Sequence, residues 1–294
     1  MSGGWHIGII GGSGLAEGIG LEDAEEIAVS SPFGAPSGPV VQGRLGGLRL
    51  SFLPRHGKGH RIPPASVNYR ANIDVLKRCG VTDVVALSAI GSLNAAMAPG
   101  HFVLVDQLID RTMGRANSFF GEGLVAHVGL ADPTCPRLSA LLAGAAGQAG
   151  AEVHAGGTYV AIEGPQFSTR AESRLYRQWG GDVIGMTAMP EARLSREAEL
   201  PYALVGMVTD WDCWREGDAG AEASEVLRVM EGNVARALEM LGHFARGLPA
   251  NRAASPIDRA LDGAIVTRPT ARDAALVARL GAVAGRVLRP GPVA

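Results

Sequence analysis

The chain has 294 residues, and its 27 Lys and Arg against 29 Asp and Glu give a formal net charge of −2. A composition of 47% hydrophobic and 19% charged residues is ordinary for a globular enzyme and excludes an intrinsically disordered chain. The balanced charge excludes a strongly basic nucleic-acid-binding protein, and Cys79, Cys135 and Cys213 are too few and too far apart for a disulfide framework or a zinc site.

Short apolar runs, each ended by Gly, Pro or polar residues, recur along the chain and predict β-strands. They cover 6–10, 48–53, 83–88, 102–109, 158–163, 182–186 and 202–208. Several runs are continuously apolar, which is typical of strands covered on both faces. Apolar residues at helical spacing predict helices over 66–79, about 136–149, 169–179 and 222–245. Strands that alternate with helices favour an α/β fold around a mostly buried sheet.

The composition changes after residue 246, where Gly, Pro and Ala become frequent. The pattern divides the chain into a domain over 1–246, a linker over 247–269 and an appended amphipathic helix over 270–294. Thr270 and Asp273 have the spacing of a capping box, and the apolar residues from Leu276 to Val287 share one helical face. We expect this helix to dock on the body of the protein or on a neighbouring subunit.

The N-terminus has no basic stretch followed by an apolar one, and no apolar run approaches the about 20 residues of a membrane span. Few cysteines without a disulfide spacing fit a reducing compartment. We therefore expect a cytoplasmic protein with no membrane partner.

The first predicted strand runs into GIIGGSGL (8–15), a glycine-rich turn. The dinucleotide-binding spacing would require a further glycine at position 17, which is Glu17, so this motif does not predict a dinucleotide site. Glycines here let a ligand approach the backbone, with the Ser13 hydroxyl as an additional donor. A tight turn without a ligand is the alternative.

Three other predicted strand ends carry small or hydrogen-bonding residues. SFLPRHGKGH (51–60) contains Arg55 and His56, LSAIGS (87–92) contains Ser88, and GMTAMPE (185–191) contains Thr187. Ligands of α/β sheets bind where strands end, and guanidinium and hydroxyl groups suit a phosphate. The pattern favours a phosphate site over the alternative of unrelated solvated loops.

Two further stretches contain candidate residues for a flat, polar ligand. In VTDWDCW (208–214), Asp210 and Asp212 are either turn residues or carboxyl groups whose pKa is raised so that one donates a proton. In EGPQFSTRAES (163–173), Phe167 is either a core residue or a stacking platform, and Glu163 and Arg170 could form a structural ion pair.

The motifs GGSGL, LPRHG, VNYRAN, GSL, DQLIDRT, IEGPQFSTRAE, GMTAMPE and TDWDCW, in this order, resemble the trimeric purine nucleoside phosphorylase and methylthioadenosine phosphorylase family. The resemblance covers residues 6 to about 245. It implies a single α/β domain with a central mixed, partly barrel-like sheet flanked by helices. It also implies inorganic phosphate as a co-substrate, no organic cofactor, no metal and a homotrimer.

The resemblance also implies roles for individual residues. Asp210 would donate a proton or a strong hydrogen bond to nitrogen 7 of the purine, and Asp212 would be catalytic beside it. The phosphate-binding residues would be Ser13, Arg55, His56, Ser88, Ala89 and Thr187. Nucleoside binding would fall to Met186, Phe167, Asp210, Trp211 and Asp212, and specificity to Ser168 and Ala223.

The implied reaction is the phosphate-dependent cleavage of the N-glycosidic bond of S-methyl-5′-thioadenosine. A 6-oxopurine nucleoside or methylthioinosine phosphorylase is the alternative within the family, where Asn typically replaces Asp210. A non-catalytic purine-binding module is a third hypothesis, but it would not require Arg55, His56, Ser88 and Thr187.

Overall fold

The computed structural model describes residues 4–12, 15, 18–215 and 223–288. In these ranges eleven strands form one sheet. They are β1 (His6–Gly11), β2 (Glu22–Ile27), β3 (Val40–Leu45), β4 (Leu48–Pro54), β5 (Asp83–Ser92), β6 (Phe102–Val105), β7 (Gln107–Arg111), β8 (Val153–Ala155), β9 (Thr158–Ile162), β10 (Val183–Gly185) and β11 (Tyr202–Asp210). The helices are α1 (Tyr69–Arg78), α2 (Pro136–Gln148), α3 (Arg170–Gln178), α4 (Ala188–Glu197), α5 (Ala223–Gly247), α6 (Ala274–Arg279) and α7 (Gly285–Leu288).

The sheet is mixed and branches at its central strand, β5. Its main order is β2-β3-β4-β1-β5-β10-β9-β7, and β11 joins β5 to β6, which in turn pairs with β8. β5 pairs in parallel with β1 and β11 and antiparallel with β10. The prediction of one α/β domain with a mixed central sheet is confirmed.

Each face of the sheet carries its own core, which explains the continuously apolar runs. Ile7 and Ile9 of β1 pack in a cluster with residues of α2 and α5, such as Leu142 and Phe244. Ile10 belongs to the other cluster, with residues of α1 and α4. Burial of apolar side chains on both faces contributes roughly 25 cal/mol per Å² of apolar surface.

Four elements have no counterpart in the predicted set: β2, β3, β8 and α4. β2 has the sequence EDAEEI and is exposed along almost its whole length, so it lacks an apolar pattern. The helical pattern of α4 is interrupted by Met189, whose φ of −113° and ψ of 131° are not helical, and by Pro190. The predicted strand over 102–109 is divided at Asp106 into β6 and β7.

The expectation of a single helix over 270–294 is wrong for its described part, which contains the two short helices α6 and α7. The side chain of Asp273 caps α6 by accepting from Leu276 N, whereas Thr270 lies in a preceding 3₁₀ turn. Leu280 and Val283 are buried in the same core as α1 and α4. The segment therefore packs on the body of its own chain.

The preceding segment, expected to be a linker, is also attached to the body. The guanidinium of Arg252 bonds to Asp83, which is completely buried, and to Asp258. Ile257 is buried in a 3₁₀ turn over Pro256–Arg259. None of the helices in the described ranges has the length and apolar character needed to cross a membrane.

Candidate active site

Arg55 follows β4 and is 2% exposed. Nε donates to Glu191 Oε1 at 2.5 Å and Nη2 to Glu191 Oε2 at 3.1 Å. Nη1 donates to the carbonyl of Leu87 and Nη2 to that of Ile10. An arginine has five N–H donors, so one hydrogen on Nη1 has no acceptor among the described residues and is available to an anion. Burial alone would lower the pKa of Arg55, but the Glu191 carboxylate raises it and keeps the guanidinium charged.

Glu191 on α4 was not predicted as a functional residue. Its side chain is 1% exposed, and the hydroxyl of Tyr202 donates to it at 3.2 Å. A buried carboxylate with these donors fixes the plane of the Arg55 guanidinium. The only sequence signal for Glu191 was its place at the end of GMTAMPE.

Ser88 on β5 and Thr187 before α4 meet, as the strand-end pattern predicted. Their hydroxyl oxygens are 3.1 Å apart, and both side chains are buried. The Thr187 amide donates to the Tyr159 hydroxyl, and the Ser88 hydroxyl donates to the carbonyl of Ala89. Because Leu87 and Glu191 bond to Arg55, these hydroxyls are tied to the same place as the guanidinium.

The tautomer of the His56 imidazole follows from the hydrogen bond that its Nδ1 makes. Its Nδ1 lies 2.8 Å from the carbonyl of Ile62, which can only accept, so Nδ1 carries the hydrogen. Burial, and then the Arg55 charge, lower the pKa of His56 to about 4. The ring is thus neutral near pH 7, and Nε2 can accept from a protonated phosphate oxygen. Ser13, also predicted here, lies outside the described residues.

Asp210 is the last residue of β11, and Asp212 lies two residues beyond it. Asp210 Oδ1 accepts from the Asp212 amide and Oδ2 from the Thr209 hydroxyl, both at 2.8 Å. Burial, together with the nearby Asp210, raises the pKa of Asp212. Asp212 is thus shifted toward its protonated form; the sequence pattern had left open which of the two carboxyl groups has the raised pKa, and the resemblance implied Asp210 as the proton donor.

The remaining predicted residues differ in what surrounds them. Phe167 is 48% exposed, as a stacking platform requires, and Trp211 is half-buried under the guanidinium of Arg215 at 3.5 Å. Met186 is half-buried beside Thr187. The Ser168 hydroxyl is buried and, among the described residues, has no hydrogen-bond partner.

Two further expectations concerned an ion pair of Glu163 and the role of Ala223. Glu163 does not pair with Arg170: it pairs with Arg115 at 3.1 Å. Ala223 begins α5, but its side chain is not among those described. Across the described ranges, His, Cys, Asp and Glu side chains form no group of three or more that could hold a metal ion.

Comparison with known proteins gives consistent matches. Residues 6–246 match the model of the phosphorylase superfamily. The chain is 54% identical over 285 residues to the S-methyl-5′-thioadenosine phosphorylases of Bradyrhizobium diazoefficiens and Cereibacter sphaeroides, with 96% of this chain and 98% of each relative covered. Alignments of this length necessarily continue past residue 246 into the C-terminal segment.

Solved structures are similar as well. A methylthioadenosine phosphorylase from an Antarctic soil metagenomic library superposes with a TM-score of 0.90 at 43% identity, covering 95% of this chain and 99% of that chain. A variant of the adenosine/methylthioadenosine phosphorylase of Schistosoma mansoni, in complex with methylthioadenosine, has a TM-score of 0.77 at 38% identity over 82% of this chain and 91% of that one.

Proposed function

This chain belongs to the phosphorylase superfamily, and we propose that it catalyses the phosphate-dependent cleavage of the N-glycosidic bond of S-methyl-5′-thioadenosine. The products are adenine and 5-methylthioribose 1-phosphate. The proposal is supported above all by relatives of that name that are 54% identical over nearly the whole chain. Buried donors for an anion, and two adjacent carboxyl groups, are the parts that such a reaction needs.

Phosphate binding is assigned to the Arg55 and His56 cluster. The remaining Nη1 hydrogen of Arg55 donates to a phosphate oxygen. The hydroxyls of Ser88 and Thr187, which in the structure bond to the Ala89 carbonyl and to each other, turn to donate to phosphate oxygens as well. Nε2 of the neutral His56 accepts from a P–OH group. The bound phosphate stabilises the positive charge that develops on the sugar and then bonds to its anomeric carbon, so this half of catalysis is positioning and electrostatics.

The departing purine becomes negatively charged and needs a hydrogen bond or a proton at nitrogen 7. Asp210 and Asp212 lie two residues apart, and burial together with the nearby Asp210 raises the pKa of Asp212 and favours its protonated form. Asp210 is assigned the contact with nitrogen 7. Phe167 and Trp211 supply aromatic surface for the base, Met186 lies against the sugar, and Ser168 and Ala223 adjust specificity.

The reaction needs no organic cofactor and no metal, because the charges that develop are balanced by phosphate and by side chains. We further propose a cytoplasmic homotrimer. Free thiols at Cys79, Cys135 and Cys213 suit a reducing compartment. Phe167, Leu175 and Trp179, each more than 40% exposed, suit burial against a neighbouring subunit.

The proposed function is tested by measuring base release from methylthioadenosine, adenosine, inosine and methylthioinosine, with and without phosphate. We expect methylthioadenosine to be the preferred substrate and turnover to require phosphate. Equal turnover in phosphate-free buffer would indicate hydrolysis. A preference for inosine or methylthioinosine would favour the 6-oxopurine alternative, and binding of the nucleoside without turnover would favour a non-catalytic purine-binding module.

A further inference from the structure

Arg115 lies in the segment between β7 and α2, and no sequence pattern singled it out. Its side chain is 2% exposed, although arginine is rarely buried unless it is paired. Its Nε donates to Glu163 Oε1 at 3.1 Å and to Oε2 at 3.3 Å. The Met113 amide donates to the same carboxylate, so Glu163 binds two residues of this segment.

The two Nη atoms of Arg115 bind carbonyl oxygens from two different segments. Nη2 donates to Glu163 O at 2.7 Å and to Ile162 O at 3.4 Å. Nη1 donates to Met186 O and Met189 O, each at 2.8 Å, and to the Tyr69 hydroxyl at 3.1 Å. Every N–H donor of the guanidinium thus has a protein acceptor, and none is left for a ligand.

The two segments that Arg115 joins carry the residues assigned to the nucleoside. Ile162 ends β9, Glu163 follows it and leads into the turn that presents Phe167, and Met186 lies after β10. The segments also touch: Gly164 has a φ of +68°, and a Cβ there would lie 2.4 Å from Met186 Sδ. A small change in either segment is therefore transmitted to the other.

Thr187 shares a planar peptide unit with the Met186 carbonyl that Arg115 binds, but it also has contacts of its own. Its hydroxyl meets that of Ser88 at 3.1 Å, and its amide donates to Tyr159 at 3.2 Å. The phosphate half of the site therefore has additional support, from Ser88 and Tyr159. The Met186 carbonyl and the β9 end depend on the guanidinium.

We propose that Arg115 is a positioning residue that aligns the nucleoside side of the site, by bonding the end of β9 to Met186, and that it affects the phosphate side less, because Ser88 and Tyr159 also hold Thr187. The proposal rests on the proposed function. An arginine suits this role because its planar fork of donors reaches several carbonyl oxygens at fixed angles, which the single ammonium group of a lysine does not. A misplacement of about 1 Å at such a site costs on the order of 10²-fold in rate.

The test uses the full-length chain with Arg115→Lys, which keeps the charge for Glu163, and Arg115→Ala. Matched controls are Arg196→Lys and Arg196→Ala. Arg196 also binds backbone carbonyls, those of Gly129 and Asp132, but these belong to a loop that carries no assigned site residue. For each protein, kcat and KM are measured for methylthioadenosine at saturating phosphate and for phosphate at saturating nucleoside, together with the melting temperature.

We expect both Arg115 variants to lose about 10²-fold in kcat/KM for the nucleoside, with a smaller rise in KM for phosphate than in KM for the nucleoside. The Arg196 controls should keep both parameters. Guanidinium ion at tens of millimolar, far below concentrations that unfold proteins, should restore much of the nucleoside kcat/KM of Arg115→Ala. It should not change the nucleoside kcat/KM of Arg115→Lys or of the Arg196 controls.

Several results would overturn the proposal. They are an unchanged nucleoside kcat/KM, a KM for phosphate that rises as much as the KM for the nucleoside, and a lack of guanidinium rescue in a folded Arg115→Ala. If neither Arg115 variant folds, Arg115 supports the fold as a whole and the proposal is also wrong. The wild-type measurement separates the two hypotheses, because a wild type inactive on methylthioadenosine contradicts the proposed function itself.

Discussion

Arg55→Ala would remove both the positive charge next to the proposed phosphate and the Nη1 hydrogen that no described residue accepts. A hydrogen bond to a charged group contributes about 1.5–3 kcal/mol, and loss of a donor to a developing charge costs about 2–4 kcal/mol of transition-state stabilisation. At 1.36 kcal/mol for each factor of ten, kcat/KM for phosphate should fall about thirtyfold to a thousandfold.

The same substitution also affects folding. It leaves the Glu191 carboxylate, 1% exposed, without its charged partner. Removing one member of a buried pair costs about 3–5 kcal/mol, a large part of the roughly 5–15 kcal/mol by which proteins are stable. The activity of Arg55→Ala must therefore be compared with that of a protein in which the buried charge is removed as well.

The double variant Arg55→Met with Glu191→Gln supplies this control. We expect urea denaturation to show that it regains most of the stability lost in Arg55→Ala. Initial rates over a range of phosphate concentrations should show that its KM for phosphate remains raised. Recovery of phosphate affinity in the double variant would mean that misfolding caused the first defect. A folded Arg55→Ala with the phosphate dependence of the wild type would refute the assignment of Arg55 to phosphate.

The other predictions concern the carboxyl pair and the C-terminal segment. Asp210→Asn should slow adenine release and narrow or reverse a preference of roughly ten- to hundredfold for methylthioadenosine over methylthioinosine; unchanged rates on both would make Asp210 a simple turn residue. Asp212→Asn should raise the melting temperature at pH 8, because a carboxyl whose pKa is raised by folding destabilises the fold when ionised. This gain in melting temperature should vanish as the pH falls through the raised pKa of Asp212 toward the ordinary pKa of an aspartate. A gain at that lower pH equal to the gain at pH 8 would contradict the prediction. Truncation after Leu248 should strongly lower the melting temperature, because it removes buried side chains and leaves Asp83 without Arg252; a wild-type melting temperature would contradict this.

The residues whose proximity was predicted from the sequence lie at the ends of sheet strands. Arg55, Ser88 and Thr187 follow or lie in apolar runs, and strands that share one sheet place their ends near each other. The chemistry of each side chain then indicated an anion. That part of the site could be predicted because local pattern and general topology are enough for it.

Supporting residues could not be found in this way. Glu191 and Arg115 act on groups that are far away in the sequence, and a glutamate or arginine in a polar segment has no local feature that shows its burial. The C-terminal segment was interpreted as a linker and one helix because its small residues have weak patterns. Its contacts with Asp83 and Glu199 of the body are likewise visible only in three dimensions.

The branching of the sheet at β5 has a consequence for how the polypeptide folds as it leaves the ribosome. Val84 of β5 pairs with Tyr202 of β11, so the central strand stays incomplete until β11 has been synthesised. Until then β5, apolar on both faces, has only β1 beside it among its parallel partners. Such long-range pairing is slow, and exposed apolar strands are prone to aggregate. We expect the nascent chain to depend on chaperones during this interval, and ribosome-bound fragments that end before β11 to be sensitive to protease.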